Sequence, residues 1–268
     1  MAWARILAPL CGGESDRRTL GAAAIVAEAF DSELACVHAP ADVAELLPWM
    51  GEGYTGGVQS TALESIRQAA VEGAAAARAA AEAVSWSKKS FSSLESPVAA
   101  SLAMEGRLSD LVVFDDSAGR GKGPLASVFQ QVVANEQRPT LVARPDLRVG
   151  GVVAIAWDAG KEASRAMRTA LPLLQKASKV VALTAGAARD CDPSRLQAFL
   201  AARGVACETQ KVLEPGDPAT ALMRAARSLS ADLLVAGAYG HPRLQEFIFG
   251  GATRAFLHAE GPSLFLSH

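Results

Sequence analysis

The sequence predicts an α/β fold of two tandem, open-sheet, mostly parallel five-stranded domains. Two observations point there. Short apolar runs of strand length alternate with segments of helical periodicity, the signature of βαβ units whose parallel sheet is covered on both faces. The whole order of elements then occurs a second time, and landmark residues recur with it. Asp110-Leu-Val-Val-Phe114 parallels Asp232-Leu-Leu-Val-Ala236, and Pro139-Thr-Leu-Val parallels Pro262-Ser-Leu-Phe, at Asp-to-Pro spacings of 29 and 30 residues.

In the first copy, residues 5–9 form a short apolar strand. A helix follows, opened by the capping types Ser15 and Asp16 and carried by Leu20, Ala24, Ile25 and Ala27 to Phe30. Residues 33–38 are a second strand, and a Gly- and Pro-containing loop runs from Ala39 to about Ser60. An alanine-rich helix spans residues 61–83, with a weak polar strand at 87–94 and a helix at 97–106 after it. A clearly apolar strand at 110–114, a helix at 125–135 and a strand at 139–143 complete the copy.

The second copy reads as strands at 152–157, 179–184, 206–213, 232–236 and 262–266. Helices at 162–176, 194–203 and 218–228, and a last one containing residues 253–258, separate them. Two copies of this length match ordinary domain size. The boundary falls at Pro145 to Gly151, giving domains 1–145 and 151–268.

Composition excludes several function classes. Among 268 residues, 26 are basic and 28 acidic, so the net charge of −2 leaves no positive footprint for nucleic acid or an anionic membrane. No apolar run reaches the roughly 18 residues of a membrane-spanning helix. The apolar stretch after Met1 is too short for a signal peptide and is interrupted by Pro9. The expected location is cytoplasmic. Cys11, Cys36, Cys191 and Cys207 lie far apart with no C-x-x-C pair, the pattern of isolated thiols in a reducing compartment. None of the four histidines sits at a metal-ligand spacing, and no G-x-S-x-G motif supports a nucleophile.

The most informative stretch begins at Gly237, where the fourth strand of the second copy ends. Ligands of open α/β sheets bind outside the carboxyl ends of the strands. Gly237 and Gly240 carry no side chain to hold a phosphate away, and glycine lets successive N–H groups converge on an anion. Gly250 and Gly251 then open the last helix, whose first N–H groups lack intrahelical partners. Thr253 adds a hydroxyl, and Arg243 and Arg254 add charge. A tight turn that packs a helix on the sheet is the other use of the same glycines.

These residues resemble the universal stress protein family, whose ATP-binding members carry Gly-x2-Gly-x9-Gly-Ser/Thr at this point. The match here is Gly237-x2-Gly240-x9-Gly250, with Gly251 in the Ser/Thr position. That departure removes one hydroxyl hydrogen bond, worth ~0.5–1.5 kcal/mol, and keeps the N–H. Ala156-Trp157-Asp158, Ala170-Leu171-Pro172-Leu173-Leu174 and the final Ser267-His268 extend the similarity to bacterial tandem members. The resemblance implies that Asp158 contacts the nucleoside and that backbone at Leu183 and Thr184 faces the adenine. It implies ATP or AMP as the ligand, with Mg2+ only alongside the nucleotide. It also implies edge-to-edge pairing of the strands at 139–143 and 262–266 in an internal pseudo-dimer, and it allows a homodimer.

The first copy departs much further. Asp115 and Ala118 stand where the loop glycines belong, and Cys11 stands where the acid belongs. The run Gly119-Arg-Gly-Lys-Gly123 lacks P-loop spacing and reads as a mobile basic loop. Asp115 and Asp116 read as a solvated loop end. This copy is expected to have lost the site. The resulting expectation is a tandem stress-response protein whose second domain binds ATP or AMP as a regulatory ligand. Its catalytic residues are none, and weak ATP hydrolysis stays open. The rival reading is a protein–protein interaction module, with a partner still unknown, that has lost nucleotide binding in both halves.

Overall fold

The computed structural model describes residues 3–41, 56–95, 97–185, 192–213, 216–238 and 251–268. By internal contacts the chain divides into two compact units, residues 4–132, and residues 133–268 together with Trp3.

The first unit holds strands β1 (Arg5–Leu10), β2 (Glu33–His38), β3 (Lys89–Ser93) and β4 (Leu111–Asp115). They pair in parallel in the order β3-β2-β1-β4. Strands β1, β2 and β4 are apolar and buried almost throughout, as strands covered on both faces must be. Helix α1 (Ser15–Phe30) ends where Asp31 turns into the left-handed region at φ 56° and its N–H reaches back to Ala27 and Glu28. Helix α2 (Gly56–Glu82) begins earlier than the expected loop allowed, so residues 56–60 are helical. Helix α3 (Val98–Arg107) and the short α4 (Asp116–Gly119) and α5 (Ala126–Gln130) follow, and α5 runs into a π-helical turn at Gln131–Asn135. Phe114 and Phe129 meet edge to face at 5.4 Å in the core.

The second unit holds β5 (Thr140–Ala143), β6 (Val152–Ala156), β7 (Lys179–Ala185), β8 (Cys207–Val212), β9 (Leu233–Gly237) and β10 (Ser263–Ser267). The order is β8-β7-β6-β9-β10-β5, parallel except for the last pair. The helix expected at 162–176 is two, α6 (Lys161–Thr169) and α7 (Leu171–Lys176). Pro172 explains the break, because it has no N–H to donate and its ring crowds the preceding turn. Helices α8 (Pro193–Ala201) and α9 (Pro218–Ser228) each start on an aspartate cap: Asp192 accepts from Ser194 N and Asp217 from Thr220 N. Helix α10 (Gly251–His258) leads into β10.

The compact units do not divide at 145–151. Strand β5 carries residues of the first repeat but pairs antiparallel with β10, Val142 opposite Leu264, Leu141 opposite Phe265 and Thr140 opposite Leu266. This is the pairing expected of the two final strands. It moves residues 133–145 into the second unit, and Trp3 joins them by stacking on Phe265 at 6.2 Å between ring centroids.

Candidate functional site

From β6 the second unit's chain runs outward through β7 and β8, then returns to place β9 on the other side of β6. Strands β6 and β9 are therefore the point where strand order reverses, and crossovers of opposite sense leave a crevice there. Helix α6 lies over β9 and β10, whereas α9 lies over β7 and β8 and against α10. Register aligns the carboxyl ends: Ala156 opposite Leu183, Ile155 opposite Val235, and Ser267 opposite Gly237. Asp158, Thr184 and Gly237 thus share one edge of the sheet.

Asp158 is exposed in the loop that joins β6 to α6. Its Oδ1 accepts from Gly160 N at 2.7 Å, and Ala159 between them takes a left-handed φ of 61°. This Asx turn orients the carboxylate. Asp-x-Gly spacing was the signal for it, and Gly160 is a site-shaping residue that sequence reasoning missed. Leu183 is fully buried, and its carbonyl accepts from Trp157 N at 2.9 Å. Thr184, half-buried, is where the end of β7 emerges.

Gly237 has a definite packing reason. A Cβ built there would lie 2.7 Å from Ala163 N and from the carbonyl carbon of Glu162. Any side chain would therefore push α6 off the end of β9. Gly251 differs: it is the exposed first residue of α10, and a Cβ there meets nothing within 4 Å among the described residues. Thr253 is buried at 3% exposure, while Ala252 and Arg254 on the same turn are exposed. Gly240, Arg243 and Gly250 lie outside the described residues.

The first unit fills the corresponding edge with its own groups. The loop after β1 turns back on Asp16, which is 1% exposed and accepts from Cys11 N at 2.9 Å and Gly12 N at 2.8 Å. A carboxylate here takes loop amides that an anionic ligand would need. Helix α2 lies against the same loop: a Cβ on Gly12 would lie 2.5 Å from Gly73 O. His38, buried at the end of β2, bonds Ser93 Oγ through Nδ1 at 2.9 Å. Burial pushes its pKa down, and the nearby Asp16 charge pulls it partly back.

Asp115 is not the solvated loop end expected from sequence. It is buried, and its carboxylate accepts from Arg18 Nη2 at 2.9 Å and from Ser117 Oγ at 2.8 Å. Asp116 starts α4 and pairs with Arg120. Arg18, far from Asp115 in the chain and invisible as its partner in the linear pattern, makes the difference at Asp115, whereas Arg120 stands at i+4 from Asp116. Burial raises the pKa of Cys11 and of Cys207 and pushes Cys36 up to about 11, so these thiols stay protonated near neutrality. Among the described residues, no group of three or more His, Cys, Asp or Glu side chains could hold a metal. Among them too, no helix is long and apolar enough to cross a membrane.

No curated protein sequence matches the chain. The fold is similar to that of a universal stress protein from Archaeoglobus fulgidus DSM 4304, with a TM-score of 0.65 at 15% identity, covering 98% of this chain and 95% of that one. A functionally unknown protein from Pseudomonas aeruginosa PAO1 aligns with a TM-score of 0.57 at 15% identity, covering 99% of this chain and 92% of that one. At such identity the likeness is one of fold. The family model described as Universal stress protein family matches residues 152–260, the stretch that contains the β6/β9 crevice. The likeness to the universal stress protein family at the level of sequence thus lies in residues 152–260 of this chain.

Proposed function

We propose that the second unit binds an adenine nucleotide, ATP or AMP, across the carboxyl ends of β6, β7 and β9. The nucleotide acts as a ligand that biases conformation or partner choice in a stress response. The observation carrying this reading is what converges at the strand reversal. An exposed, oriented carboxylate (Asp158), a glycine-ended strand (β9) and the first turn of α10, exposed at Gly251 and Ala252, all lie in the stretch that matches the family. Asp158 suits a ribose hydroxyl, because an ionised carboxylate is a pure acceptor. The first amides of α10 suit phosphate oxygens. Any Mg2+ enters with the phosphates. In this reading the first unit has no second site, since Asp16 occupies its loop amides.

Calorimetric titration of the full chain with ATP tests the reading. The wild-type chain binds, and Gly240→Val binds at least about tenfold more weakly, because a β-branched side chain bars phosphate from the backbone. A wild-type chain that takes up no adenine nucleotide would end the proposal. Gly251→Ser has the opposite effect. Among the described residues nothing crowds that position, so the added hydroxyl tightens ATP about two- to tenfold, the worth of one hydrogen bond. Weaker ATP binding by that variant would show that α10 does not seat the phosphates.

A further inference from the structure

A buried charge in the second unit lies at the far end of α10 from the proposed phosphate seat. Arg144 follows β5 and is 7% exposed. Its Nη2 donates to the carbonyls of Phe256 at 2.9 Å and Leu257 at 3.3 Å, in the last turn of α10. Its Nη1 donates to Pro262 O at 3.0 Å, and its backbone N donates to Ser263 Oγ at 3.0 Å. One guanidinium thus satisfies carbonyls that a helix C-terminus leaves unpaired, and it places positive charge at the negative end of the helix dipole.

We infer that Arg144 is a positioning residue for the nucleotide site, acting through α10. This rests on the nucleotide reading above. An eight-residue helix is a rod of about 12 Å, so whatever pins its C-terminal turn also aims its N-terminal amides. Arg144 belongs by sequence to the first repeat. The antiparallel β5–β10 pairing delivers it to the second. The phosphate seat is therefore incomplete without a residue from outside the family-matched stretch of 152–260.

The test uses the full chain with R144Q and R144K, read by amide exchange without ligand and by titration with ATP and with adenosine. R144Q speeds exchange across residues 251–258 while 161–169 stay protected. It weakens ATP about tenfold, an ordinary coupling strength, and leaves adenosine binding unchanged because adenosine has no phosphates for α10 to hold. R144K keeps the charge, reaches fewer carbonyls and falls between R144Q and wild type. A general loosening would speed exchange in both helices and weaken both ligands equally. Either result, or unchanged exchange in α10, overturns the inference. If R144Q does not fold, R144K carries the test, and a wild-type ATP-to-adenosine ratio overturns it. A wild-type chain that binds neither ligand sinks the nucleotide reading and this inference together. Binding of both ligands with an unaltered ratio in the variants sinks this inference alone.

Discussion

Gly12→Ala lowers the stability of the chain by about 3 kcal/mol, the larger part from overpacking against backbone and the rest from a strained φ. Gly12 sits at φ 78°, where an L side chain is strained whatever the space around it. The new methyl would also lie 2.5 Å from the Gly73 carbonyl oxygen and 2.8 Å from its carbon. Those atoms belong to the backbone of α2, which cannot turn aside as a side chain can. The whole helix must retreat from the loop after β1, and Asp16 then loses the geometry in which it holds Cys11 N and Gly12 N. Thermal unfolding followed by circular dichroism should show a midpoint about 10 °C lower. A methyl group on the other glycine, Gly73, faces different atoms and is mild. In Gly73→Ala the nearest atom is His38 Nε2 at 3.0 Å, the tip of a side chain, and alanine is about 1 kcal/mol better than glycine inside a helix. An unchanged midpoint in Gly12→Ala would mean that α2 does not bear on this loop.

Gly237→Ala is expected to lose about 2 kcal/mol, within the range for inserting a methyl group into a closely packed contact. Backbone strain has no part in it, because the position does not have a left-handed φ. The cost comes from two α6 backbone atoms at 2.7 Å, Ala163 N and the Glu162 carbonyl carbon. Relief requires α6 to lift from β9, and the Asp158 loop at its start lifts with it. Denaturant unfolding should show the lower stability, and an ATP titration should show weaker binding in the molecules that remain folded. A variant as stable as wild type would show that α6 can shift at little cost. The result also sorts the two uses a glycine at the end of β9 can have. Gly237 serves helix packing first, and any service to a phosphate is through the close approach that this packing leaves open.

Much of the fold was legible because its signals are local. Apolar runs of strand length, such as Leu111 to Phe114 and Leu233 to Ala236, announce buried parallel strands within a few residues. Helix ends were less legible. Asp192 and Asp217 cap their helices as their residue types promise, yet at α1 the promising Asp16 lies inside the helix and turns its carboxylate back to the preceding loop. At the candidate site, Gly237 was read from its place at the end of a strand, and Asp158 from the family resemblance alone. Gly160 could have been found from its Asx-turn spacing. Asp16 as occupant of the first unit's loop amides could not, because an aspartate near a helix start reads the same whether it caps, pairs or faces water.

The sequence by itself determined the order of the strands and the glycine that ends the ninth. Each of those is written in short-range periodicity and residue type. Tertiary structure alone decided that β5 joins the second unit, that Asp115 finds Arg18 and that Arg144 holds α10. Residues 144 and 256 are 112 apart in the chain, and no local pattern records which distant carbonyl a buried guanidinium will meet. That choice follows from burial, because a charge taken out of water must find partners where the packed chain happens to leave them.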